Sequence, residues 1–123
     1  MDRWFFAAGS IFALISVGVG AFGAHGLKGR ITPDMLAVFE LAARYQMYHA
    51  IALGLCAFAW TRWPGPAVTV AAALFAVGIL LFCGSLYALS LGGPRWLGAV
   101  TPFGGTAWIV GWAALAWAAL RQG

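Results

Sequence analysis

Four long apolar stretches leave this chain few ways to fold outside a membrane. Trp4–Ala24, Leu41–Thr61, Ala67–Leu91 and Leu97–Leu120 each run more than 20 residues without Lys, Asp or Glu, and Arg44 is the only Arg inside them. A helix needs about 20 apolar residues to cross a hydrocarbon core of ~30 Å, so each stretch is long enough to span. The expected fold is an all-α integral membrane protein, one domain built as an antiparallel four-helix transmembrane bundle. The first stretch follows Arg3, as a signal sequence would, but it is about twice the usual length of such a core and reads as the first span.

Charge adds an exclusion. Only 8% of residues are charged, and the net +4 comes from scattered Arg and Lys with no basic run. Nucleic-acid binding usually shows a clustered basic face, so membrane lipid is the expected partner and nucleic acid is not. Four spans place both termini on one face, side A, where Trp4, Trp60, Trp63 and Trp117 form an interfacial belt. The chain crosses to side B at Ala24–Pro33, returns at Arg62–Pro66 and crosses again at Gly92–Thr101. Thr32-Pro33-Asp34 has the form of a helix start, a capping hydroxyl before Pro and an acid. The second helix should therefore begin near Pro33, lie along or above the interface, and enter the bilayer near Leu41. Arg and Lys divide almost evenly between the faces, leaning only weakly to side B in the cytoplasm.

Two helices carry stripes of small residues. Gly9, Ala13, Ser16, Gly20 and Gly23 share one face of the first, and Gly104, Ala107, Gly111, Ala114 and Ala118 share one face of the fourth. Such stripes let backbones approach closely in lipid. Whether they pack within the chain or against a second copy stays open at this point.

Depth arithmetic at ~1.5 Å per residue locates the polar residues. His25, Glu40, Arg44, Ser85 and Tyr87 all come out ~25–31 Å from side A, just inside side B. Glu40 and Arg44 have the i,i+4 spacing of an ion pair. The group is either a pair neutralising itself at the interface or a candidate polar site open to side B. His49 falls ~18 Å deep, near the bilayer centre, where Ser16 or a backbone carbonyl is its expected partner. His25 and His49 differ by ~13 Å in depth, which defeats a bis-histidine haem within one chain. Cys56 and Cys83 differ by ~17 Å, too far for a disulfide, and the two His and two Cys offer no common level for zinc. No catalytic grouping, metal site or cofactor motif is expected.

The segments Gly20-Ala-Phe-Gly-Ala-His-Gly-Leu27, Tyr45-Gln-Met-Tyr-His-Ala50, Gly78-Ile-Leu-Leu-Phe-Cys-Gly-Ser-Leu-Tyr87 and Leu97-Gly-Ala-Val-Thr-Pro-Phe-Gly-Gly105 occur in that order. Together they resemble the small bacterial inner-membrane family known as domain of unknown function 423, related to the eukaryotic transmembrane protein 256 family. The resemblance covers essentially the whole chain. It implies a four-helix protein of the bacterial inner membrane and no established activity. The reading that follows is a non-enzymatic helix-packing protein, either a homo-oligomer or an accessory subunit of a larger membrane complex. The alternative is a small transporter or lipid-handling protein using the side-B polar group.

Overall fold

A computed structural model describes residues 1–122. Helix α1 (Asp2–Phe22) runs on through a π-helical turn, Gly23–Leu27. Helix α2 (Pro33–Arg62) is a single 30-residue rod. The third span is α3 (Pro66–Gly78), a π-helical turn at Ile79–Cys83, and α4 (Gly84–Ser90). A 3₁₀ turn at Arg95–Ala99 then leads into α5 (Thr101–Gln122).

The start of α2 follows its sequence. The Thr32 hydroxyl accepts a hydrogen bond from the Met35 N–H at 3.2 Å, and Pro33 occupies the first helical position, where a missing N–H does no harm. At side A the α2–α3 connection turns on Gly65, whose φ of +151° favours glycine. Arg121 from the end of α5 lies against this turn, 2.5 Å from where a Gly65 side chain would begin.

The bundle is antiparallel and has a definite order. The first span packs on α2, the fourth on the third, and α2 and the third span pack together in the middle. Along α1 and α2 the register is continuous: the Phe5 and Trp60 rings meet at 6.1 Å, Ser16 bonds the Ala43 carbonyl, and Gly23 lies under the Phe39 ring. Between third and fourth spans, Phe75 faces Gly111 and Ser85 faces Thr101.

Three helices are long and apolar enough to cross a membrane: Asp2–Leu27, Pro66–Ser90 and Leu97–Arg121. Helix α2 is not among them, and its position explains why. It is flanked by both neighbouring spans and buries Gln46 and His49 as well as Phe39, Leu53 and Cys56. A helix lined by protein over much of its girth need not be as apolar as one facing lipid. It lies beside α1 over nearly the full length of that span, so it crosses the same layer. Its first turns continue the same helix without a break, so the expected lengthening of the second helix from Pro33 is present.

Much of both small stripes packs inside the chain, with Gly20 of the first left in open space. A side chain at Gly9 would begin 2.6 Å from the Ala50 carbonyl oxygen and 3.1 Å from the Leu53 Cβ. One at Gly111 would meet the Phe75 ring at 3.0 Å, and Gly104 sits directly against the Phe82 backbone. Close approach of backbones is what these glycines provide between neighbours in the fold. Large apolar side chains such as Leu14, Val17, Ile51, Leu80, Ile109 and Leu120 cover the outside. Cys56 and Cys83 are both buried free thiols.

Candidate functional site

The polar interior is built around α2. Gln46 and His49 are three apart, so they share the face that looks into the bundle. The Gln46 amide nitrogen donates to the Phe12 carbonyl at 2.9 Å, and its oxygen accepts from the Tyr87 hydroxyl at 2.7 Å. One side chain thereby joins three spans.

His49 is held on every side. Its Nδ1 lies 2.9 Å from the Tyr45 carbonyl, and the Trp112 indole N–H donates to its Nε2 at 3.2 Å. A carbonyl can only accept and an indole can only donate, so Nδ1 carries the proton and the ring is neutral. The imidazole stacks on Trp108 with centroids 3.7 Å apart and planes within 2°. Trp108 in turn donates to the Phe75 carbonyl at 3.1 Å, lodged where Gly78 has no side chain. Tyr45 and Phe82 close the aromatic group, each within 6.1 Å of Trp108.

The remaining buried polar contacts are short, and several of them join neighbouring spans. Ser85 and Thr101 hydroxyls meet at 2.6 Å, tying the third span to α5, and Ser85 also donates to the Phe82 carbonyl. Ser16 donates to the Ala43 carbonyl at 2.6 Å, and the Cys83 thiol to that of Ala42 at 3.2 Å. Among the described residues no buried side-chain nitrogen or oxygen lacks a partner.

The five residues expected to meet near side B divide into separate places. His25 is exposed on the π-helical turn, and Glu40 and Arg44 are exposed on the outward face of α2. No ion pair joins Glu40 to Arg44 among the described residues. Tyr87 reaches Gln46, while Ser85 turns to Thr101. Two residues apart on a helix means ~200° of rotation, so Ser85 and Tyr87 cannot address one neighbour. Depth gave the level of each side chain but not its bearing. Ser16 is likewise not the partner of His49; the backbone carbonyl is, together with two tryptophans. Depth alone puts Trp108 at the level of His49 without marking it as a partner, and Trp112 and Gln46 are what the depth reading missed. The available signal was Trp108 and Trp112 spaced four apart at the level of His49, opposite the one amide within a span.

The Gln46–Tyr87 bond also supplies a test. Gln46→Leu strands the Tyr87 hydroxyl in the interior and is expected to lower stability by about 1–2 kcal/mol in detergent. Adding Tyr87→Phe removes both ends of the bond and should recover part of that loss. Additive losses in the thermal midpoints of the two single variants and the double variant would show the bond to be energetically idle.

A shallow groove of about 200 Å³ runs between the first and third spans over this bond, lined by Phe12, Ile15, Gln46, Ile79, Leu80, Cys83, Gly84 and Tyr87.

These features define a small polytopic membrane protein whose buried polar groups are hydrogen-bonded within its own helices. A family described as "Protein of unknown function (DUF423)" matches residues 19–105. The UPF0382 membrane protein YwdK of Bacillus subtilis is 46% identical over 118 residues, covering 95% of this chain and 96% of that protein. UPF0382 membrane protein SERP0230 of Staphylococcus epidermidis is 41% identical with 95% of each covered, and SAB0533 of Staphylococcus aureus 43% with 89% of each. The chain belongs to the DUF423 family. It is an integral membrane protein of the bacterial plasma membrane. No solved structure matches it.

Proposed function

We propose that the protein is non-catalytic and acts through helix contacts, as an accessory subunit in a membrane complex. The supporting observation is the saturation of its interior. Gln46 and Tyr87 spend their hydrogen bonds on other spans, His49 bonds Trp112 and the Tyr45 carbonyl of its own helix, and Ser85 bonds Thr101 and the Phe82 carbonyl of its own span. In this arrangement none of these four groups is left free for a substrate. With Gly9, Gly23, Gly104 and Gly111 packed against neighbouring helices, the lipid-facing surface is the face a partner helix would meet.

Photo-cross-linking side chains placed one at a time at outward positions, such as Val70, Val77, Ile109 and Leu120, test this in native membranes. One contiguous face should give a single reproducible protein adduct while the other faces give lipid adducts. Lipid adducts at every position would overturn the reading. A second reading, lipid handling, draws on the groove over the Gln46–Tyr87 bond, which could take an acyl chain; an acyl-chain photoprobe labelling Leu80 and Ile15 ahead of other outward positions would favour it.

A further inference from the structure

The outward face of α2 is unlike the rest of the lipid-facing surface. Glu40, Arg44, Tyr48, Ile51 and Leu55 are all exposed and follow one another at steps of four, four, three and four, so they form one stripe. The contacts to α1 fix its depth. Phe39 lies beside Gly23, four residues or ~6 Å short of the end of the first span at Leu27. Ala43 bonds Ser16, eleven residues or ~16 Å from that end. From side B inward the stripe therefore presents a carboxylate, then a guanidinium one turn deeper, a phenol, and branched apolar side chains. Arg44 can reach back toward the headgroup level by extending its stem along the helix.

We propose that this stripe binds a phosphatidylethanolamine molecule of the side-B leaflet. A phosphatidylethanolamine offers, in the same order from water inward, a primary ammonium, a phosphate and acyl chains. The ammonium donates to Glu40, the phosphate accepts from Arg44, and an acyl chain continues past Tyr48. Past Tyr48 the exposed Ile51 continues the stripe as an apolar surface along which the chain can lie. Glu40 and Arg44 have the spacing of an ion pair and yet do not make one. Each is left free for a headgroup that carries both opposite charges. Phosphatidylglycerol would satisfy Arg44 and give Glu40 no cation. Phosphatidylcholine would bring a quaternary ammonium that has no N–H to donate.

The test uses the full chain in nanodiscs of equal palmitoyl-oleoyl phosphatidylethanolamine, phosphatidylcholine and phosphatidylglycerol, with retained lipid read by native mass spectrometry. The expected result is one tightly held phosphatidylethanolamine per chain. Glu40→Gln should lower its retention about tenfold without affecting phosphatidylglycerol, whereas Arg44→Gln should lower both. Glu40→Lys should invert the preference toward phosphatidylglycerol, a gain that misfolding cannot mimic. Equal retention of the three lipids by the unmodified chain, or unchanged preference in Glu40→Lys, would overturn the proposal.

Discussion

Gly9→Val is expected to lower the thermal unfolding midpoint in detergent sharply, while Gly18→Val on the same helix leaves it nearly unchanged. The two glycines differ only in what surrounds them. A side chain at Gly9 would meet the Ala50 carbonyl oxygen at 2.6 Å, the Leu53 Cβ at 3.1 Å and the Gly54 nitrogen at 3.3 Å. Two of the three are backbone atoms of α2 and cannot swing aside. At Gly18 nothing lies within 4 Å. Overpacking of a closed interface costs about 1–3 kcal/mol, and more where backbone must move. Because α1 is held mainly by α2, the whole first span should loosen. Equal midpoints for the two variants would mean that α1 and α2 do not pack in this register.

His49→Ala should be the most damaging change to a polar residue. It removes the acceptor of the Trp112 N–H, strips one face of Trp108, and leaves a void beside Phe75. The void and the stranded donor together should cost roughly 2–4 kcal/mol. Packing is expected to dominate, since hydrogen bonds between helices in membranes average only about 0.6 kcal/mol. His49→Phe keeps a flat ring on Trp108 and should therefore lose markedly less than His49→Ala. If the two lose the same amount, the hydrogen bonds and not the stack hold this place together. A His49→Ala variant as stable as Tyr48→Ala, on the outward face, would contradict the arrangement altogether.

Much of the fold was legible because length and polarity are one-dimensional properties. The first, third and fourth apolar runs became spans, and Thr32-Pro33-Asp34 did open a helix. The small stripes correctly marked helix contacts, since glycine at steps of three and four has one structural use in lipid. What the chain did not disclose was bearing around each axis. Glu40 and Arg44 share a face by any helical wheel, but no wheel says whether that face looks inward. Only the partners settle it, and the inward face of α2 belongs to Gln46 and His49 instead. Depth alone puts Trp108 at the level of His49, but not as its partner, for a related reason. Tryptophan in a membrane chain suggests the interface, and its burial depends on Gly78 in another helix leaving a slot.

The π-helical turn at Ile79–Cys83 gives the third span a place to absorb a one-residue change in length, which an uninterrupted helix lacks. Such a turn holds roughly one residue more than an α-helical turn, and one residue corresponds to ~100° around the axis. Phe75 and Gly78 precede it and serve the His49–Trp108 stack; Ser85 and Tyr87 follow it and serve Thr101 and Gln46. The two halves of the span are thus clocked against each other, like cams keyed to one shaft. Loss of a single residue between Gly78 and Gly84 would reseal the helix as a plain rod with little change in composition. The flanking halves would keep their bearing, with Tyr87 on Gln46 and Ser85 on Thr101, because the lost residue is the one the wider turn absorbs; the same loss elsewhere in the span would swing one half off its partners by ~100°.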